Sequence, residues 1–273
     1  MPLLAVVFAI ASAATSAHLP ASTSSPQAQA AIDRGLFLYY AYDGSDAAKA
    51  FAQAAKLDPQ LALALWGTAL ADGPDLNTPL TQARFEDAAR AMRKASEVAP
   101  GASSEEQRLV AVMALRYRGT FADWPRDDDA YRSAMLALAQ SSGEENARLL
   151  AAEALLEGGG LAWRNGTLAD DRSQQALTLV EGVLRDDPSS VMANHLCIHL
   201  YDLAPDRTPA LSCTQRLDAA VFPPQAEHLA HMPAHYWIEV GEYAAALTSS
   251  ERAYALLTQL DGGIDSEHAQ RYA

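Results

Sequence analysis

One spacing of small and large apolar residues recurs along the chain and leaves few folds open. Ala47, Phe51, Ala54 and Pro59 stand as A-x3-F-x2-A-x4-P. Ala88, Met92, Ala95 and Pro100 repeat it, and Ala176, Val180, Val183 and Pro188 repeat it again with valine in the last small position. Offsets of three and four put these side chains on one helix face. The small residues let a second helix approach, the large one fills the space beside them, and proline ends the run because it cannot donate the next backbone hydrogen bond. Looser copies are anchored on Ala210 and on Ala246 with Ala253, so the anchors at 176, 210 and 246 lie 34 and 36 residues apart. Such a chain folds as antiparallel helical hairpins. Helices are expected over 33–41, 45–57, 61–71, 82–97, 104–117, 127–139, 145–157, 171–185, 190–203, 208–218, 225–240 and 243–259, with no sheet covering any of them.

The composition agrees. Alanine is abundant and β-branched residues are sparse, which favours helix over sheet. A chain of 273 residues is long enough to bury a core. With 20 Lys+Arg against 34 Asp+Glu the formal charge is −14. A surface that acidic repels phosphate and argues against a nucleic-acid or anionic-lipid partner. Two cysteines exclude a disulfide-dense scaffold and a zinc site made of four cysteines. No glycine-rich phosphate loop, Rossmann fingerprint or G-x-S-x-G elbow occurs.

The spacing resembles the tetratricopeptide repeat, with its signature W-x2-L-G-x2-Y…A-x3-F…P. Gly35 and Leu38 supply the earlier G-x2-Y spacing, with leucine in place of tyrosine. The resemblance implies an all-α chain, a right-handed α-solenoid of antiparallel hairpins over residues 29–273. Asp72 to Thr78-Pro79 and Gly158-Gly159-Gly160 interrupt it as loops. Leu260-Asp261-Gly262-Gly263 then stops a helix, and Ile264 to Ala273 begins another amphipathic segment. That segment is either a short capping helix or the start of a further repeat cut off within it.

Ahead of the repeats, Pro2 to Ala11 is an apolar run too short to span a bilayer, followed by small residues from Ser12 to Ala17. Ala11-Ser12-Ala13 fits an A-x-A cleavage site, so residues 1–17 are expected to be a secretory signal peptide and 18–28 a polar linker. The expected location is periplasmic or secreted, with the cytoplasm as the alternative. No membrane partner is expected after cleavage. A cut after Ala17 would also make His18 an N-terminal copper chelator.

Of the seven histidines, five lie in one stretch: His195, His199, His228, His231 and His235. On a helix His195 and His199 share a stripe of about 60° with Asp202. His228, His231 and His235 share another, continued by Glu239. Histidines at i, i+4 can grip one ion. His195 and His199 lie 15 and 11 residues before Ala210, and His231 and His235 lie 15 and 11 before Ala246. Equal offsets make the pairs quasi-equivalent. In proteins similar to tetratricopeptide repeats this face lines a concave groove. His195, His199 and His235 are therefore expected to converge, with His228, His231, Asp202 and Glu153 or Glu239 around them. Pro233 weakens the assignment of His228 and His231, because it breaks or kinks the helix before His235. Such donors suit Zn²⁺, Fe²⁺ or Cu²⁺ and not Mg²⁺ or Ca²⁺. Glu153, an acid in an apolar helix, is exposed or else a ligand or general base. Cys197 and Cys213 are a disulfide or two buried thiols.

Residues 145–258 resemble a bacterial group of tetratricopeptide-repeat proteins. The resemblance rests on Asn194-His195-Leu196-Cys197-Ile198-His199, on His228-Leu229-Ala230-His231-Met232-Pro233-Ala234-His235, and on Ala152-Glu153-Ala154-Leu155. It implies a solenoid and carries no reaction with it. Three functions compete: a metal-dependent hydrolase or oxidoreductase, a non-catalytic metal binder, and a scaffold holding a peptide or protein in its groove.

Overall fold

The computed structural model describes residues 17–157 and 162–260. The expected signal peptide up to Ser16, the glycines 158–160 and the segment after Leu260 lie outside them. The described residues are mostly helical. The helices are α1 (Pro26–Tyr40), α2 (Gly44–Leu57), α3 (Ala62–Ala71), α4 (Gln82–Val98), α5 (Ser104–Arg116), α6 (Trp124–Ser142), α7 (Glu145–Leu156), α8 (Asp171–Asp186), α9 (Val191–Tyr201), α10 (Leu211–Ala219), α11 (Glu227–His231), α12 (Pro233–Glu239) and α13 (Tyr243–Leu257). Two short strands, Trp163–Arg164 and Thr167–Leu168, pair antiparallel in the loop after α7 and cover none of the expected helices. No helix among the described residues is long and apolar enough to cross a membrane.

Six of the helices begin where a side chain replaces a missing backbone acceptor. Ser25, Asp43, Thr81, Ser103, Asp170 and Ser190 each cap a helix by accepting a hydrogen bond from a first-turn amide. Consecutive helices from α1 to α4 and from α5 to α9 pack against one another. Alternate helices also meet: α1 with α3, α3 with α5, α7 with α9. The small and large residues of the recurring spacing (Ala47, Phe51 and Ala54; Ala88, Met92 and Ala95; Ala176, Val180 and Val183) are all buried.

Phe51 shows what the spacing achieves. Its ring lies against Gly35 of α1 and Gly67 of α3, so both neighbouring helices approach α2 at a residue without a side chain. A Cβ at Gly67 would fall 2.2 Å from the ring, and one at Gly35 would fall 2.8 Å from it.

Two segments depart from the expected boundaries. Residues 18–25 are extended and tied to the fold. Leu19 is buried, Asn146 donates to the His18 carbonyl at 2.8 Å, the Ser22 amide donates to Glu106, and Thr23 Oγ1 donates to Asp58 at 2.7 Å. Of the polar side chains that suggest a solvated linker, His18 pairs with Asp33 of α1, Ser22 accepts from the Ser103 amide ahead of α5, and Thr23 bonds to Asp58 at the end of α2; residues 26–28 form the first turn of α1. The helix expected over 225–240 is two helices, parted at Met232, because Pro233 has no amide hydrogen to continue the ladder.

Gly67→Ala is expected to destabilise the protein by about 1–3 kcal/mol through overpacking against Phe51. Gly101→Ala, where a Cβ meets nothing within 4 Å, should stay within about 0.5 kcal/mol of the parent. Urea denaturation of both variants checks this, and equal effects would contradict the packing account.

Candidate metal centre

Helix α9 carries His195 and His199 one turn apart. Asn194 donates to the carbonyls of Pro188 and Ser190 and helps fix the start of this helix. His195 is wholly buried. Its Nδ1 lies 3.0 Å from the backbone carbonyl of Tyr40, 155 residues away in sequence. A carbonyl only accepts, so Nδ1 carries the hydrogen and the neutral ring is left with a bare lone pair on Nε2. That Nε2 faces two others: His228 Nε2 at 3.0 Å and His199 Nε2 at 3.1 Å. Among the described residues these three are the group close enough to hold one metal ion.

The geometry suits an ion better than it suits hydrogen bonding alone. One in-plane lone pair on His195 cannot accept two well-aligned N–H bonds. Three lone pairs aimed at an ion about 2.0–2.1 Å away would place tetrahedrally arranged nitrogens about 3.3 Å apart, close to the observed spacings. A second-nitrogen hydrogen bond to a backbone carbonyl is also how metal-bound imidazoles are commonly oriented.

Tyr42 closes one side. Its ring centroid is 4.5 Å from that of His195, 5.2 Å from His228 and 5.9 Å from His199. It is buried, and its backbone is left-handed at φ 57°. That conformation is rare for a bulky side chain, and strain of this kind collects at functional sites. Burial pushes its hydroxyl well above the ordinary phenol range, and the charge of Glu153 adds to the shift.

Glu153 of α7 is buried behind Tyr42. Burial, and then the neighbouring Glu157, raise its carboxyl well above the usual range. Glu157 is raised to about 7 by burial, against the opposing charge of Arg116. Arg116 is itself buried, is paired with Glu157 and Asp128, and lies over the Tyr131 ring at 4.5 Å. A buried carboxyl with a raised pKa thus stands near the tyrosine that covers the imidazole cluster.

The remaining predicted residues flank the cluster. The His235 ring lies 6.2 Å from His199 and 5.1 Å from His231. Asp202, at the end of α9, is half-buried. Burial raises its carboxyl, while the charge of His235 draws it down. Glu239 pairs with Arg207 at 2.7 Å, and His18 with Asp33 at 2.9 Å. The convergence expected for His195, His199 and His235 is therefore corrected: His228 is the third imidazole. Of the two outcomes that Pro233 leaves open, a break or a kink, the structure has the break: His228 and His231 stand on α11 and His235 on α12, so equal offsets from Ala210 and Ala246 do not give equal positions.

Sequence reasoning missed Tyr40 and Tyr42. A carbonyl acceptor carries no side-chain signal, and only the crowded Tyr39-Tyr40-Ala41-Tyr42 tract hinted at the second. Cys197 and Cys213 form a disulfide that ties α9 to α10. No protein-family model and no curated protein matches the chain.

Burial is the largest cause lowering all three imidazoles, His195 to about 3. Since the unfolded ring titrates near 6.5, the unfolded chain binds the extra proton first as pH falls. The metal-free protein should be fully supported by this effect above about pH 6.5 and lose stability as pH drops toward 3, by up to about 1.4 kcal/mol per pH unit for each buried ring. Histidine side-chain NMR should show a neutral, Nδ1-protonated His195 at pH 5; a midpoint near 6.5 would contradict the burial argument.

Proposed function

We propose that this is an exported metalloprotein of the tetratricopeptide-repeat kind, a right-handed α-solenoid in which His195, His199 and His228 hold one Zn²⁺, Fe²⁺ or Cu²⁺ in the groove for catalysis. The observation that carries the reading is the bare Nε2 of His195, locked in that state by the Tyr40 carbonyl and faced by two further Nε2 atoms. Support for the repeat comes from the spacing near 34 residues and from the meeting of alternate helices. Support for export comes from the apolar leader and from the Cys197–Cys213 disulfide, a bond that persists in oxidising compartments.

Three protein ligands leave coordination positions open, as catalytic sites do. The ion would supply Lewis acidity to activate water for hydrolysis or, as redox-active iron or copper, the electron transfer that oxidation by dioxygen needs. The chain's own residues have separate tasks. The Tyr40 carbonyl orients His195, the Tyr42 ring excludes water from one side, and Glu153, its carboxyl raised by burial, serves as the general acid or base. His231, His235 and Asp202 border the centre and are not ligands in this reading.

Untagged protein should carry about one transition-metal ion per chain by elemental analysis. His199→Ala with His228→Ala should abolish that content, whereas His231→Ala with His235→Ala should keep it. Turnover screens for ester hydrolysis and for oxidation, repeated after metal exchange, identify the reaction class, and Glu153→Gln should lower kcat at least tenfold with metal content unchanged. Metal content unaffected by the His199/His228 pair would overturn the reading and leave a peptide-binding scaffold.

A further inference from the structure

The three imidazoles come from two helices, and only one of their spacings is set locally. His195 and His199 share α9, whose own hydrogen bonds hold them one turn apart. His228 stands on α11, a helix of five residues closed by the break before Pro233. So short a helix has too few bonds of its own to hold its direction. Tertiary contacts therefore set the 3.0 Å between His228 Nε2 and His195 Nε2.

Helix α10 connects the two. It packs against α9 and also against α11 and α12. Near its start, Cys213 is bonded to Cys197, and both cysteines are buried. Cys197 lies midway between His195 and His199 in sequence. At about 100° per residue it points to the opposite side of α9 from their midpoint. Arg216 of α10 adds a hydrogen bond to Asn194 Oδ1 at 3.2 Å. At the other end of α10, Arg252 of α13 donates to the carbonyls of Leu217 and Asp218. The same guanidinium donates to the Ala230 carbonyl of α11 at 3.3 Å. Asp218 also accepts from Trp237 of α12 at 2.7 Å and from Ser249 of α13 at 2.9 Å. The path from the α9 imidazoles to His228 thus runs through one covalent bond, one short helix and one guanidinium.

We propose that the Cys197–Cys213 disulfide and Arg252, acting through α10, position His228 against His195 and His199, so that affinity for a transition-metal ion depends on whether this disulfide is made. The inference rests on the reading of those three histidines as ligands. Ligand nitrogens must lie about 2.0–2.1 Å from the ion, and a looseness of about 1 Å is enough to spoil such a site. Groups that orient ligands without touching the metal are typically worth about 10–100-fold in affinity. Reduction by glutathione balances simply: two glutathione thiols give two electrons and two protons to the bond and leave as glutathione disulfide, and two cysteine thiols remain on the side of α9 away from the ion. Linkage is reciprocal, so an ion that prefers the bonded form makes the bond harder to reduce by the same factor.

The test measures zinc Kd by chelator competition for the full chain, for Cys197→Ser with Cys213→Ser, and for Gly67→Ala. The paired serine variant should raise the Kd at least tenfold with helical circular dichroism unchanged. Gly67→Ala, which costs stability at α3, should keep the parent Kd. A merely structural disulfide would lower stability and leave Kd alone, as Gly67→Ala does. In glutathione buffers, saturating zinc should shift the parent's disulfide equilibrium toward the bond by the same factor, about 30 mV for tenfold. If the paired variant does not fold, Arg252→Lys decides: it keeps the charge, loses the fork that spans α10 and α11, and should raise the Kd at least threefold with the disulfide intact. An unchanged Kd in the folded paired variant, or in Arg252→Lys where that variant decides, would overturn this inference alone, as would a disulfide equilibrium indifferent to zinc. A parent chain that binds no zinc would overturn the metal reading and this inference with it.

Discussion

The candidate centre depends on one hydrogen bond, from His195 Nδ1 to the carbonyl of Tyr40. The end of a helix leaves its last carbonyls without partners inside the helix, and α1 ends at Tyr40. One of those orphan carbonyls is satisfied by an imidazole on α9. The bond thus serves the fold and fixes the chemistry: it completes a helix terminus in the interior and forces the tautomer that leaves Nε2 bare. Tyr42, two residues further along the same turn, takes a left-handed backbone and lays its ring over all three imidazoles. One turn after α1 therefore supplies both the orienting acceptor and the cover.

Charge is arranged around this centre in layers. The innermost groups are neutral imidazoles that burial holds unprotonated. Beyond Tyr42 stand Glu153 and Glu157, and beyond them the buried Arg116, paired with Glu157 and Asp128. A divalent ion would bring two positive charges into a region where burial and Glu157 raise the carboxyl of Glu153. An uncompensated charge at either place would be expensive.

Much of the helical framework was legible because packing has a period. The burial of Phe51 between Gly35 and Gly67 follows from alternating small and large residues, and the i, i+4 spacing put His195 and His199 on one stripe. Prediction failed where a local break or a distant backbone group decides. Pro233 was visible, but its effect, which keeps His228 in the cluster and sets His235 beside it, depends on tertiary packing around the buried Met232. Nothing in the sequence marks the Tyr40 carbonyl as an acceptor for a residue 155 positions later. The cysteines sat at a spacing compatible with either thiols or a bond, and only the crossing of α9 and α10 closes it. The tie of residues 18–25 was hidden for a similar reason, since solvated and docked serines look alike in sequence.

The central claim is that three Nε2 lone pairs, one of them fixed by Tyr40, converge on a single ion. X-ray absorption spectroscopy of the metal-loaded protein tests it most directly. The account predicts a first shell containing three imidazole nitrogens at about 2.0–2.1 Å with the remaining positions filled by exchangeable oxygen, and no bound ion, hence no such shell, in the His199→Ala, His228→Ala variant. A shell dominated by carboxylate oxygen, or one that keeps three imidazoles in that variant, would contradict it.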